Sequence, residues 1–123
     1  MIDPRQLRLP LNPEVQPSAY PLLSKAVYTL LRGYLELLDR YAREQSIPVD
    51  RVEIGSFQDP EEGTQQLVIA QWVGLSPQEA MEYWQRVGET VQLWVRGLPE
   101  VEATRVAEGI SLEVYSDVDD AAA

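Results

Sequence analysis

The chain has no cysteine and no histidine among its 123 residues. Without cysteine there are no disulfides, no thiolate nucleophile, no iron–sulfur cluster and no cysteine zinc site. Without histidine the usual general base near neutral pH and the commonest metal ligand are gone, and so is any Ser–His–Asp set. A metal would have to be held by oxygen atoms alone. Glycine is also sparse, and Gly55, Gly63 and Gly74 stand too far apart to form a phosphate-cradling loop. No apolar run approaches the ~20 residues of a membrane span. The opening Met1-Ile2-Asp3-Pro4 lacks a basic-then-apolar signal region, so a cytoplasmic protein is expected. Positive charge is scarce: 10 Lys and Arg face 20 Asp and Glu, for a net charge of −10. The imbalance is one-sided. Residues 1–51 carry 7 basic and 6 acidic side chains, whereas residues 52–123 carry 3 and 14. Nucleic-acid binding needs clustered positive charge, and this balance argues against it. No catalytic, cofactor-binding or metal-ligating residue is assigned, and the sequence points away from an enzyme.

What is present centres on Gln65–Leu98. The run Gln66–Val73 reads as a strand whose two faces are both largely apolar: Leu67, Ile69, Gln71 and Val73 point one way, Val68, Ala70 and Trp72 the other. A strand with one wet face would alternate, so this one is expected inside its sheet with cover on both sides. Gln71 is its odd polar member, expected to meet a backbone group or another polar core side chain. A helix follows the break at Gly74-Leu75. Ser76 and Glu79 stand at capping-box spacing, and Pro77 occupies the first helical position, where its missing N–H costs nothing. Ala80, Trp84, Val87, Val91, Trp94, Val95 and Leu98 recur at spacings of three and four, and Gly97 with Pro99 ends the helix. The aromatic set Tyr83, Trp84 and Trp94 is expected mainly as core.

Before this stretch lie an arm and a first helix. Prolines at 4, 10, 13, 17 and 21 favour extended backbone, and Leu7, Leu9 and Leu11 alternate like one face of a strand. The arm is expected to dock in extended form on a sheet edge, its own or a neighbour's. Residues 21–45 form a helix whose apolar stripe, including Leu23, Val27, Leu30, Tyr34 and Leu38, is too broad for one neighbour. Gly33 at its middle suits close approach of a second helix. Arg51–Phe57 reads as a strand joined to Gln66–Val73 through the turn Gln58–Gly63, as an antiparallel hairpin. Asp59, Glu61 and Glu62 in that turn lack the calcium-loop pattern and read as a solvated turn. Val101–Val106 is expected as a short edge strand. Ile110, Leu112 and Val114 alternate with Ser111, Glu113 and Tyr115 as a half-buried strand.

The expected fold is α+β: a three- or four-stranded mixed sheet with two long helices on one face, in the order arm-α-β-β-α-(β)-β. Residues 1–20 form the arm, 21–116 a single domain, and 117–123 an acidic frayed tail. The preferred function is a non-catalytic protein-interaction module. It would self-associate as a dimer, bind a basic protein partner in the manner of an inhibitor or antitoxin, or both. The alternative is a small-molecule binding protein or minor enzyme with an aromatic pocket between sheet and helices, lined by Trp72, Trp84, Trp94 and Tyr115 with Gln71 as polar handle. Candidate contact residues under the two readings are Leu7, Leu9, Leu11, Tyr34, Val68, Gln71, Trp72, Trp84, Trp94 and Tyr115. Neither cofactor nor membrane enters either reading.

Overall fold

Ser76 opens the second long helix as the sequence requires. Its hydroxyl accepts from the Glu79 N–H at 3.2 Å, and Glu79 Oε1 accepts from the Ser76 N–H at 3.3 Å. Two of the helix's orphan donors are thereby satisfied, with Pro77 directly behind them. The helix, α2, runs Pro77–Arg96. In the computed structural model, which describes residues 8–118, it lies with α1 (Lys25–Glu44) against one face of a four-stranded sheet.

The strands are β1 (Glu14–Val15), β2 (Val49–Gln58), β3 (Gln65–Val73) and β4 (Ile110–Ser116), in that spatial order. β2 and β3 form the antiparallel hairpin; β1 pairs with β2 and β4 with β3, both parallel. β3 is thus an inner strand. Its Leu67, Ile69 and Val73 sit in one core with Val52 and Ile54 of β2, Leu31, Leu35 and Leu38 of α1, and Val87 and Val91 of α2. Each fully buried leucine there contributes about 1.5–3 kcal/mol relative to exposure. The hairpin turn is built by Asp59, whose Oδ1 accepts from the Glu61 and Glu62 N–H groups, while Gly63 takes the positive φ of 71°.

The broad stripe of α1 is covered from within the chain. Leu30, Leu31, Tyr34, Leu35, Leu37, Leu38 and Ala42 are buried, and Leu9, Leu11, Tyr20 and Leu22 pack against the same core. Among the described residues no large apolar side chain of α1 is exposed. The arm does add a strand at an edge, as expected, but Glu14–Val15 makes it, not the leucine row. Leu11 and Asn12 have φ of 67° and 49°, so Leu9–Asn12 is a turn. That turn breaks the alternation read from Leu7, Leu9 and Leu11, and Leu7 lies outside the described residues. Pro17–Leu22 then form a 3-10 helix and not extended chain, carrying Ala19 into the core, and α1 starts only at Lys25 behind the Ser24 cap.

Residues 101–106 are helical, which corrects the edge strand expected there. They belong to α3 (Glu100–Gly109). Pro99 precedes it, Glu100 and Glu102 lie in its first turn where acidic side chains favour the dipole, and only Val106 is buried. α3 leads directly into β4. Of the tail, Asp117 continues the β4 pairing through its N–H to the Val73 carbonyl at 2.8 Å; residues 119–123 lie outside the described residues.

Candidate functional site

Among the described residues, the strand order leaves β4 with no neighbour on its outer side. The opposite edge, β2, is partly covered by β1. Along a strand the backbone N–H and C=O groups of alternate residues point to the same edge. The Leu112 carbonyl points outward, because the Trp84 indole N–H reaches it at 3.0 Å. Ile110 and Val114, two residues either side, therefore present their backbone groups outward as well. Trp84 covers one acceptor of a seven-residue edge and leaves the Val114 end to solvent.

Beside this edge α2 stands off from the sheet and leaves two adjoining hollows that meet at Trp84 and Leu112. One, of about 430 Å³, lies among Pro77, Ala80, Met81, Trp84, Val114 and Tyr115. The other, of about 610 Å³, lies among Tyr34, Trp84, Gly88, Val91, Gln92 and Ile110. Met81 is 62% exposed, Trp84 47% and Tyr115 43%. Among the described residues, the charged residues lining the two hollows are Glu89 and Glu113, the latter at the strand edge with its side chain turned to the face of Tyr115. The groove is therefore apolar on its floor, acidic in its charge, and bounded by a strand with free backbone groups.

Among the described residues no second layer covers the sheet face away from the helices, and here the expectation of cover on both sides is not met. Its cover is local. Arg51, Trp72 and Tyr115 are direct register partners across β2, β3 and β4. Arg51 Cζ lies 3.8 Å from the Trp72 ring centroid, and Trp72 stacks on Tyr115 with centroids 5.1 Å apart at 25°. The row half-buries Trp72 without a covering helix. The Tyr115 hydroxyl donates to Glu113 Oε2 at 2.5 Å, and this acceptor holds the phenol above its ordinary pKa.

The residues singled out from sequence fall into separate places. Tyr34 is buried and meets Trp94 edge to face at 5.7 Å; burial pushes its phenol up to about 12. Gln71 is wholly buried and accepts from the Tyr83 hydroxyl at 2.7 Å, the polar core partner expected for it. Val68 and Trp72 lie on the open sheet face, opposite Gln71. Leu9 and Leu11 are half-buried against the core. Trp84 shares one cavity wall with Tyr115 and the adjoining one with Tyr34. One aromatic pocket holding Trp72, Trp84, Trp94, Tyr115 and Gln71 together does not form, since neighbours on a strand face opposite ways. Tyr83, not Trp84, occupies the α2 core column with Ala80, Val87 and Val91. Met81, Leu112, Glu113 and Val114 are the groove residues that sequence reasoning missed. The one local signal for them is that an alternating strand must supply a wall wherever it lies at an edge.

No family model matches the chain, and no curated protein or solved structure matches it. No helix among the described residues is long and apolar enough to cross a membrane.

Proposed function

We propose that this is a non-catalytic protein-interaction module, intracellular in setting, that accepts an extended segment of a partner protein along β4. The observation that carries the reading is the free β4 edge beside an apolar groove. An added strand would find backbone partners at Val114 and pockets for alternate side chains between Met81, Trp84 and Val114, which is the combination used in strand addition. An exposed, unblocked edge of this length is otherwise an aggregation liability that proteins suppress with prolines, bulges or covering segments. Here the two-residue β1 covers part of the far edge, and among the described residues no strand covers the near one, where the Trp84 indole caps a single carbonyl.

The test is Val114→Pro. The Val114 N–H points away from β3, so proline there removes no sheet hydrogen bond and suits an edge strand. Peptides selected from a random display library on the wild-type protein should lose about tenfold or more in affinity on this variant, a change of about 1.4 kcal/mol. Circular dichroism should show the fold retained. Selected peptides that bind both proteins equally, and Trp84→Ala equally too, would overturn the reading. A dimer in light scattering that Val114→Pro dissolves would make a second copy the partner.

A further inference from the structure

Resting on that reading of the groove, we infer that the incoming strand is basic, with arginine or lysine at alternate positions and apolar residues between them. The sheet already contains the pattern that such a strand would continue. Row by row, β2 gives a guanidinium, β3 an indole and β4 a phenol: Arg51, Trp72 and Tyr115, all in register. Trp72 is flanked by Arg51 on the β2 side and Tyr115 on the β4 side. Tyr115 has Trp72 on one side only, because among the described residues no strand lies beyond β4. A cation on a fifth strand, opposite Tyr115, would meet its ring as Arg51 meets Trp72.

The next row fixes the sign of the charge. Two residues along β4, on the same face, Glu113 is paired in register with Ala70, beyond which lies Glu53. A basic side chain two positions along the incoming strand would oppose Glu113, and cross-strand pairs of opposite charge are favourable where like charges are not. Among the described residues the groove contributes Glu89 from α2 and no basic side chain. Between those two basic positions, the intervening residue turns to the helix side, where Met81, Trp84 and Val114 offer apolar surface. The recognised sequence is thus basic–apolar–basic in extended form. A second copy of this chain would bring a surface of net charge −10 to an acidic groove, so a basic partner is the better match.

Fluorescence anisotropy with three labelled octapeptides separates the possibilities: alternating arginine and valine, the same with serine for arginine, and the same with glutamate for arginine. The arginine peptide should bind about tenfold more tightly than the serine peptide, and the glutamate peptide weakest. Tyr115→Leu and Glu113→Gln should each weaken the arginine peptide about three- to tenfold, whereas Glu62→Gln at the hairpin tip should change nothing. Equal binding of the arginine and serine peptides, both lost in Val114→Pro, would overturn the basic preference and leave the groove reading standing. Arginine-peptide binding indifferent to Val114→Pro and Tyr115→Leu would show general charge attraction and overturn the inference. Silence from all three peptides would overturn both.

Discussion

The Tyr83 hydroxyl donates a 2.7 Å hydrogen bond to Gln71 Oε1 between sheet and α2, where Gln71 is wholly buried. Burial raises the Tyr83 pKa, with the bond to Gln71 acting the other way. Gln71 Nε2 has no protein partner among the described residues. The pair is thus a polar island in an apolar layer, and its two members depend on each other. Gln71→Leu should cost about 1–3 kcal/mol, because it strands the buried phenol. The double variant Gln71→Leu/Tyr83→Phe should return to within about 1 kcal/mol of wild type, since it removes both partners at nearly conserved volume. Urea unfolding of both variants checks this. A double variant no better than the single would show that the hydrogen bond is not what Gln71 contributes.

Gly33 lets the helices close. A Cβ built there would lie 3.0 Å from Trp94 Cζ2, tighter than ordinary contact. Alanine in mid-helix gains about 1 kcal/mol of propensity over glycine. Overpacking against a ring already held by Tyr34 costs about 1–3 kcal/mol. The expected net effect of Gly33→Ala is a loss of about 1 kcal/mol. In a Trp94→Leu background the same substitution should become stabilising. A thermal-unfolding double-mutant cycle reads the change of sign; its absence would locate the cost elsewhere.

The Asp50 and Asp117 carboxyls lie together at the end of the sheet where β2 begins and β4 ends, placed to share a hydrogen bond when Asp50 is protonated. That bond, ahead of a little desolvation and the repulsion between the two, raises the Asp50 pKa above its usual 3.8. A carboxyl raised in the folded state adds stability below its unfolded pKa, and loses it as pH rises through the folded value. At neutral pH the two ionised groups only repel. Asp117→Asn should therefore raise the melting temperature slightly at pH 7, and the gain should vanish below about pH 4. Scanning calorimetry across that range tests it; a gain that persists at acid pH would not come from this pair.

Much of the fold was legible because its signals are local. The Ser76–Glu79 capping box, the Asp59–Gly63 turn and the period-two rows of β3 and β4 each depend on residues within a few positions. The segment 101–106 reads as a strand because it is short and carries the β-branched Val101, Thr104 and Val106. Better signals were Pro99 ahead of Glu100 and Glu102, and ten residues free of internal breakers. Trp84 was placed in the core by its spacing from Ala80 and Val87. Its neighbour Tyr83 fits that column too, and only the direction of the sheet decides between them. The groove was out of reach for a related reason. It exists because β4 is an edge, and strand order arises from pairings dozens of residues apart. Similarly, the Arg51–Trp72–Tyr115 row needs the register of three strands, which no single window of sequence contains.

The arm guards the far edge of the sheet. The Gln16 N–H donates to the Ile54 carbonyl at 2.8 Å, Gln16 Nε2 reaches Glu53 Oε1 at 3.2 Å, and Val15 pairs with Ile54, itself fully buried. Leu9, Leu11 and Val15 pack on the core along this stretch. Removing residues 1–16 should cost about 2–4 kcal/mol, from three half-buried apolar side chains and the lost edge bonds. It should also leave β2 open along its length. An open β2 would offer the kind of edge proposed for β4, but without an acidic groove to select its occupant, so the shortened protein should self-associate more than the full chain. Light scattering against concentration, paired with urea unfolding, measures both effects. A shortened chain as stable as the full one, and no more assembled, would mean that β1 neither holds the core together nor protects the edge.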